Sequence, residues 1–176
     1  MNQVIEKITK KRPTCLEGFN VSSTDAVLPT NWNNGDSFIT KQISCTCGNS
    51  QLKLLTYEFI EKKGFFKKRE IVKKCSPVYV ECPECNSNKL LFNPEVHGWN
   101  GEQNENKPQL DSVGAVPFTD KAGKVYVTYS YQGTENYEEM LEDDELDNPQ
   151  DFFDTFTVYF EETEQKLSLV TTDECA

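Results

Sequence analysis

The 176-residue chain has one histidine, four alanines and no long apolar run. Each shortage excludes something. No stretch approaches the roughly 18 apolar residues of a membrane-spanning helix, so no membrane role is expected. The opening segment, MNQVIEKITKKRP, has no apolar core of the kind a secretory signal carries. A single histidine confines any Cys–His or Ser–His nucleophilic site to His97. Scarce alanine lowers the expectation of helix. A glycine-rich phosphate loop, a GxSxG elbow and an HExxH zinc motif are all missing.

Basic residues are scarce in one half only. Residues 1–76 hold 13 Lys/Arg against 7 Asp/Glu, whereas residues 77–176 hold 5 against 22. The halves therefore carry +6 and −17, within a total of −11. Such a chain repels nucleic acid and the anionic membrane face at long range, and attracts basic surfaces. Leu, Ile, Val and Phe make up 42 residues, enough for a core and against wholesale disorder. Seven cysteines without a secretion signal point to a reducing, cytoplasmic setting, where thiols bind metal or stay free.

Hydrophobic periodicity predicts a mostly β protein with a minor α component, in one compact domain. Residues 1–44 form a mixed N-terminal segment, with a loop from Gly18 to Phe38 and a short strand leading into Cys45. Residues 45–92 form a unit of strands. Leu52–Ile60 and Phe65–Val72 are joined by a turn at Glu61–Gly64, and Val78–Val80 and Lys89–Phe92 follow. Residues 93–123, dense in Gly and Pro, are expected to be irregular. Residues 124–176 form an acidic β-rich unit. In it Val125, Val127, Tyr129 and Tyr131 alternate along a half-buried strand, and Phe156–Phe160 and Leu167–Thr171 form a hairpin. A short acidic helix is expected between them, within 135–154.

The cysteines are paired by spacing. Cys82-Pro-Glu-Cys85 suits a tight turn whose amides donate to the sulfurs, with Pro83 presetting φ and Asn86 tolerating a left-handed backbone. Cys45-Thr-Cys47-Gly48 is a shortened version with the glycine in place. A hairpin between the pairs can bring them together, and four such thiolates are a usual tetrahedral zinc set. The alternative is four unconnected free cysteines. Cys75 is a candidate replacement ligand, whereas Cys15 and Cys175 read as spectators.

This arrangement of Cys45, Cys47, Gly48, Cys82 and Cys85 resembles a zinc ribbon, in which two cysteine knuckles clamp one zinc at the end of a three-stranded sheet. The first knuckle here is CxC, and Asn86 stands where glycine is usual. The resemblance covers residues 45–92. It implies a fold element and one structural Zn2+ per chain, and no particular activity.

Three further groups are candidate sites. Lys62, Lys63, Lys67, Lys68 and Arg69, with Phe65 and Phe66 between them, offer charge for phosphates and rings for stacking on single-stranded nucleic acid. The alternative is a solvated hairpin, or one lying against the acidic half. His97 and Trp99 lie in a loop that could bind or catalyse, or simply brace itself. Glu138, Glu142, Asp143, Asp144 and Glu145 belong to a stretch, 135–164, with 13 acidic and no basic residues. Apolar residues interleaved there suit a face that meets a basic protein. The function these features favour is non-enzymatic: a protein-binding or adaptor protein, of inhibitor or immunity type. A zinc-ribbon nucleic-acid binder using residues 62–74 and an enzyme centred on His97 are the alternatives.

Overall fold

The computed structural model describes residues 12–24, 38–61, 70–97, 111–131, 153–162 and 166–174. These form two antiparallel sheets, with a 3-10 turn at Thr14–Leu16 and a short helix, α1, at Pro94–His97. The strands are β1 (Asn20–Ser23), β2 (Ile39–Ser44), β3 (Lys53–Glu61), β4 (Glu70–Glu81), β5 (Asn88–Phe92), β6 (Asp111–Pro117), β7 (Gly123–Tyr131), β8 (Phe153–Glu162) and β9 (Lys166–Glu174). The five-stranded sheet runs β1-β2-β7-β8-β9 and the four-stranded sheet β5-β4-β3-β6. The fold is mostly β, as the alternation of apolar residues predicts. No helix among the described residues is long and apolar enough to cross a membrane.

Period-two alternation decides which faces meet. Val125, Val127 and Tyr129 on β7 and Phe156, Val158 and Phe160 on β8 point to one side of the five-stranded sheet. There they form one buried cluster with Leu54 of β3, Val78 and Val80 of β4, and Leu91 and Phe92 of β5. Phe92 and Phe156 stack across the two sheets, with ring centroids 4.4 Å apart. Cys15, Leu16 and Phe19, in and after the 3-10 turn, join the same cluster.

The sheets are also tied by backbone. Leu52 and Gly123 exchange hydrogen bonds of 2.7 and 2.8 Å just before β3 and at the start of β7. A side chain at Gly123 would meet the Glu161 carbonyl and, at 2.7 Å, Phe160 Cζ, so only glycine permits the approach.

Several local expectations give way. The strands expected at 65–72 and 78–80 are not separate where they are described, because β4 runs unbroken from Glu70 to Glu81. Its ladder with β3 jumps from Tyr57↔Lys74 to Leu55↔Tyr79, so the irregular stretch holds Pro77, which has no N–H to give. Within the Gly18–Phe38 loop lies β1, and within the irregular 93–123 segment lies β6. Both are edge strands, where polar residues, Gly114 and Pro117 are tolerated. Nor is β7 half-buried. Tyr126, Thr128 and Ser130, on the side away from the core cluster, are buried as well. On that side Thr40, Thr128, Thr157 and Thr172 stand in register across four strands. Hydroxyl contacts join Thr40 to Thr128 and Thr157 to Thr172. The acidic helix expected within 135–154 falls almost entirely outside the described residues.

Candidate metal centre

Each cysteine pair sits in a tight turn at a strand end. The first knuckle follows β2. Gly48 N–H donates to the Cys45 carbonyl at 2.8 Å, and Cys45 N–H donates to the Asn49 carbonyl at 2.9 Å. The second knuckle joins β4 to β5. Asn86 N–H donates to the Cys82 carbonyl at 2.9 Å, and Cys82 N–H donates to the Ser87 carbonyl at 2.9 Å. The residue after each second cysteine has a positive φ, 96° at Gly48 and 56° at Asn86. Glycine adopts this freely, and asparagine is among the few side chains that adopt it readily. The two turns are therefore built alike, despite their different lengths.

The turns face each other. The sulfurs of Cys45, Cys47, Cys82 and Cys85 all lie within 4.8 Å of one another. Cys45 Sγ is 3.5 Å from Cys85 Sγ, and Cys47 Sγ is 3.6 Å from Cys82 Sγ. A tetrahedral zinc with Zn–S bonds of about 2.3 Å requires S···S edges of about 3.8 Å. These two separations lie just under that figure, and all four sulfurs stay within 4.8 Å of one another. Cys45 and Cys82 are buried, at 3% and 1% exposure, whereas Cys47 and Cys85 face solvent. The set is complete without Cys75, whose backbone lies in β4. Cys15 is buried, and burial pushes its thiol well above the ordinary range. Cys175 lies outside the described residues.

The protein environment already favours thiolates at the two buried positions. Cys45 is held down at about 6, first by the Cys47 backbone N–H and then by the Ser87 hydroxyl. At Cys82 burial, the largest single influence, acts upward. The N–H groups of Cys85 and Glu84 and the Asn49 side chain together outweigh it, and the net direction is down. At Cys47 the Asn49 backbone N–H, the largest influence, acts downward. The neighbouring thiols and desolvation outweigh it and push the group up to about 12. Four sulfurs this close cannot all be anionic without a cation among them. A dication removes that conflict, and its binding releases the remaining protons.

Two residues of this centre escape the cysteine spacing. Ser87 Oγ lies 3.4 Å from Cys45 Sγ and 3.3 Å from Cys85 Sγ. Asn49 Nδ2 donates to Cys82 Sγ at 3.6 Å. The only trace of them in the sequence is a small polar residue one place after Gly48 and one place after Asn86.

His97, the one other candidate among the described residues, is not part of this cluster. His97 ends α1, its Nδ1 accepts the Asn93 backbone N–H at 3.0 Å, and its ring stacks on Phe92. Burial lowers its pKa below the ordinary imidazole value. A neutral ring that accepts a backbone hydrogen bond braces the turn after β5. Trp99, the basic run Lys62, Lys63, Phe65, Phe66, Lys67, Lys68 and Arg69, and the acidic residues Glu138, Glu142, Asp143, Asp144 and Glu145 all lie outside the described residues.

Comparison of the chain with protein-family models, with curated proteins and with solved structures finds no match.

Proposed function

We propose that this chain is a non-enzymatic binding or adaptor protein whose fold is held by one structural zinc ion on Cys45, Cys47, Cys82 and Cys85. The observation that carries the reading is the convergence of four sulfurs within 4.8 Å from two turns of like construction. Four thiolates fill the tetrahedron of zinc and leave no position for water or substrate, which is the mark of a structural rather than a catalytic ion. The connectivity supports a ribbon-like lobe: a knuckle, β3, β4, a second knuckle and β5, with the three strands adjacent in one sheet. The first knuckle also leaves β2 of the other sheet, so the ion would clamp both sheets at one end.

The partner class follows from charge. Among the described residues, lysines meet glutamates across neighbouring strands, as in Lys53–Glu81 and Lys124–Glu161, and Lys121, just before β7, meets Glu162. These are solvent-facing pairs worth about 0–1 kcal/mol each, and Lys121 and Lys124 are already counted within the net −17 of residues 77–176. An acidic excess of that size in the sequence suits a basic protein partner, of the kind an inhibitor or immunity-type protein covers, in a reducing cytoplasm.

Metal analysis of protein purified without added zinc tests the first half of the reading, with about one zinc per chain expected. A Cys82→Ser variant that keeps both metal and fold would sink it. Affinity purification from the native cell tests the second half. Recovery of a basic protein in a salt-sensitive complex is expected. Salt-sensitive binding of a labelled nucleic-acid single strand, without such a protein, would favour the basic 62–74 segment instead.

A further inference from the structure

We propose that Asn49 and Ser87 are the positioning residues of the metal centre, each holding the buried sulfur of the opposite knuckle. The proposal rests on the zinc reading above and concerns how the site is organised. The two side chains occupy equivalent places. Each follows a residue of positive φ, Gly48 or Asn86, and each closes its own knuckle by accepting an N–H at its backbone carbonyl. Their side chains then cross over. Asn49, from the first knuckle, donates Nδ2–H to Cys82 Sγ at 3.6 Å. Ser87, from the second, sits 3.4 Å from Cys45 Sγ.

The crossing matches the burial. Cys45 and Cys82 are the two cysteines of the set that are almost wholly covered, and a covered anion needs donors from the protein. Cys47 and Cys85 are exposed and can take hydrogen bonds from solvent. Ser87 has one proton to give, and because Cys85 Sγ donates to its oxygen at 3.3 Å, that proton is left for the buried Cys45 sulfur. Four thiolates around a dication leave an excess of negative charge, and donors to sulfur offset it and fix ligand orientation. Because each donor belongs to one knuckle and its acceptor to the other, the pair also sets the knuckles against each other before metal arrives.

Asn49 carries a second duty that a test must respect. Its Nδ2 also donates to the Gln51 carbonyl at 2.8 Å, and its Oδ1 accepts the Gln51 N–H at 3.0 Å. Asn49→Asp keeps the acceptor of the Gln51 N–H but removes both Nδ2 donations and adds a charge, so the Ser87 variants are the deciding arm. Ser87→Ala removes only the hydroxyl, since the knuckle closes through the backbone carbonyl, and Ser87→Thr restores it.

The experiment is competition of the full chain with a chromophoric chelator for Zn2+, alongside the absorption spectrum of the Co2+-loaded protein. Ser87→Ala and Asn49→Asp are expected to weaken zinc binding by about 10–100-fold and to shift the thiolate-to-cobalt band. Ser87→Thr is expected to recover both. An affinity for Ser87→Ala within about twofold of the unaltered chain overturns the proposal, as does a Ser87→Thr variant no tighter than Ser87→Ala. If the unaltered chain binds neither Zn2+ nor Co2+, the zinc reading itself falls and takes this proposal with it.

Discussion

Gly48 and Asn86 occupy the same place in the two knuckles, each directly after a solvent-facing cysteine and each with positive φ. Their side-chain requirements differ. A Cβ at Gly48 would meet no atom within 4 Å, so the cost of one there is purely conformational. Gly48→Ala is expected to destabilise the metal-loaded protein by about 1–2 kcal/mol in urea unfolding, the usual penalty for a left-handed L-residue. Asn86→Gly, by contrast, relieves a mild penalty and is expected to leave the midpoint nearly unchanged. Equal losses from both substitutions would show that the turns are not held alike.

Chelation of the metal is expected to act locally before it acts globally. The sulfurs join the end of β2 to the β4–β5 turn, while the Phe92–Phe156 stack and the valines around it lie in the common core. Hydrogen exchange after chelator treatment is expected to speed first at residues 45–49 and 82–87, with a lowered melting temperature. Protection that stays unchanged in both knuckles would mean that the site contributes nothing to holding them.

The inter-sheet contact sets the size of the core effect. Phe156 is fully buried and lies parallel to Phe92 from the opposite sheet, with 17° between the ring planes. Phe156→Ala leaves a cavity between two packed layers and is expected to cost about 3–5 kcal/mol, read from denaturant midpoints. A loss below about 1 kcal/mol would mean that the sheets close over the gap more freely than a packed core allows.

Much of this architecture is legible in the chain, and the parts that are not share physical causes. Val125, Val127 and Tyr129, and Phe156, Val158 and Phe160, announce their strands because only one periodicity fits them. The knuckles are equally plain, since cysteines two or three residues apart beside Gly48 or Asn86 have few other uses. Edge strands are harder to read. β1 is the polar run Asn-Val-Ser-Ser, and β6 contains Gly114 and Pro117, so neither carries a pattern that burial on two sides would enforce. Pro77 lies between the strands expected at 65–72 and 78–80, yet the ladder leaves room for it within β4. Asn49 and Ser87 were invisible for a different reason. Their meaning depends on two turns approaching each other in space, which no local spacing records.

Tyr126 gives a test at alkaline pH. It is buried on the side of β7 away from the core cluster, packs with Tyr159 and Leu167, and donates its hydroxyl to Glu161 Oε2 at 2.8 Å. Lys124 meets the same carboxylate oxygen at 3.4 Å. Burial, then the hydrogen bond to Glu161 and its charge, holds the Tyr126 phenol up at about 12. An unfolded tyrosine ionises near about 10. Below that pH both states keep the proton, and the contribution to stability is complete. Between the two values the unfolded chain releases the proton while the folded chain retains it, so stability falls as pH rises. Burial raises Tyr159 and Tyr129 in the same direction, so Tyr126 supplies a share of the slope rather than all of it. Denaturant midpoints between about pH 9 and pH 11.5 are therefore expected to fall more steeply for the unaltered chain than for Tyr126→Phe. Identical slopes would show that Glu161 and burial do not hold this phenol neutral.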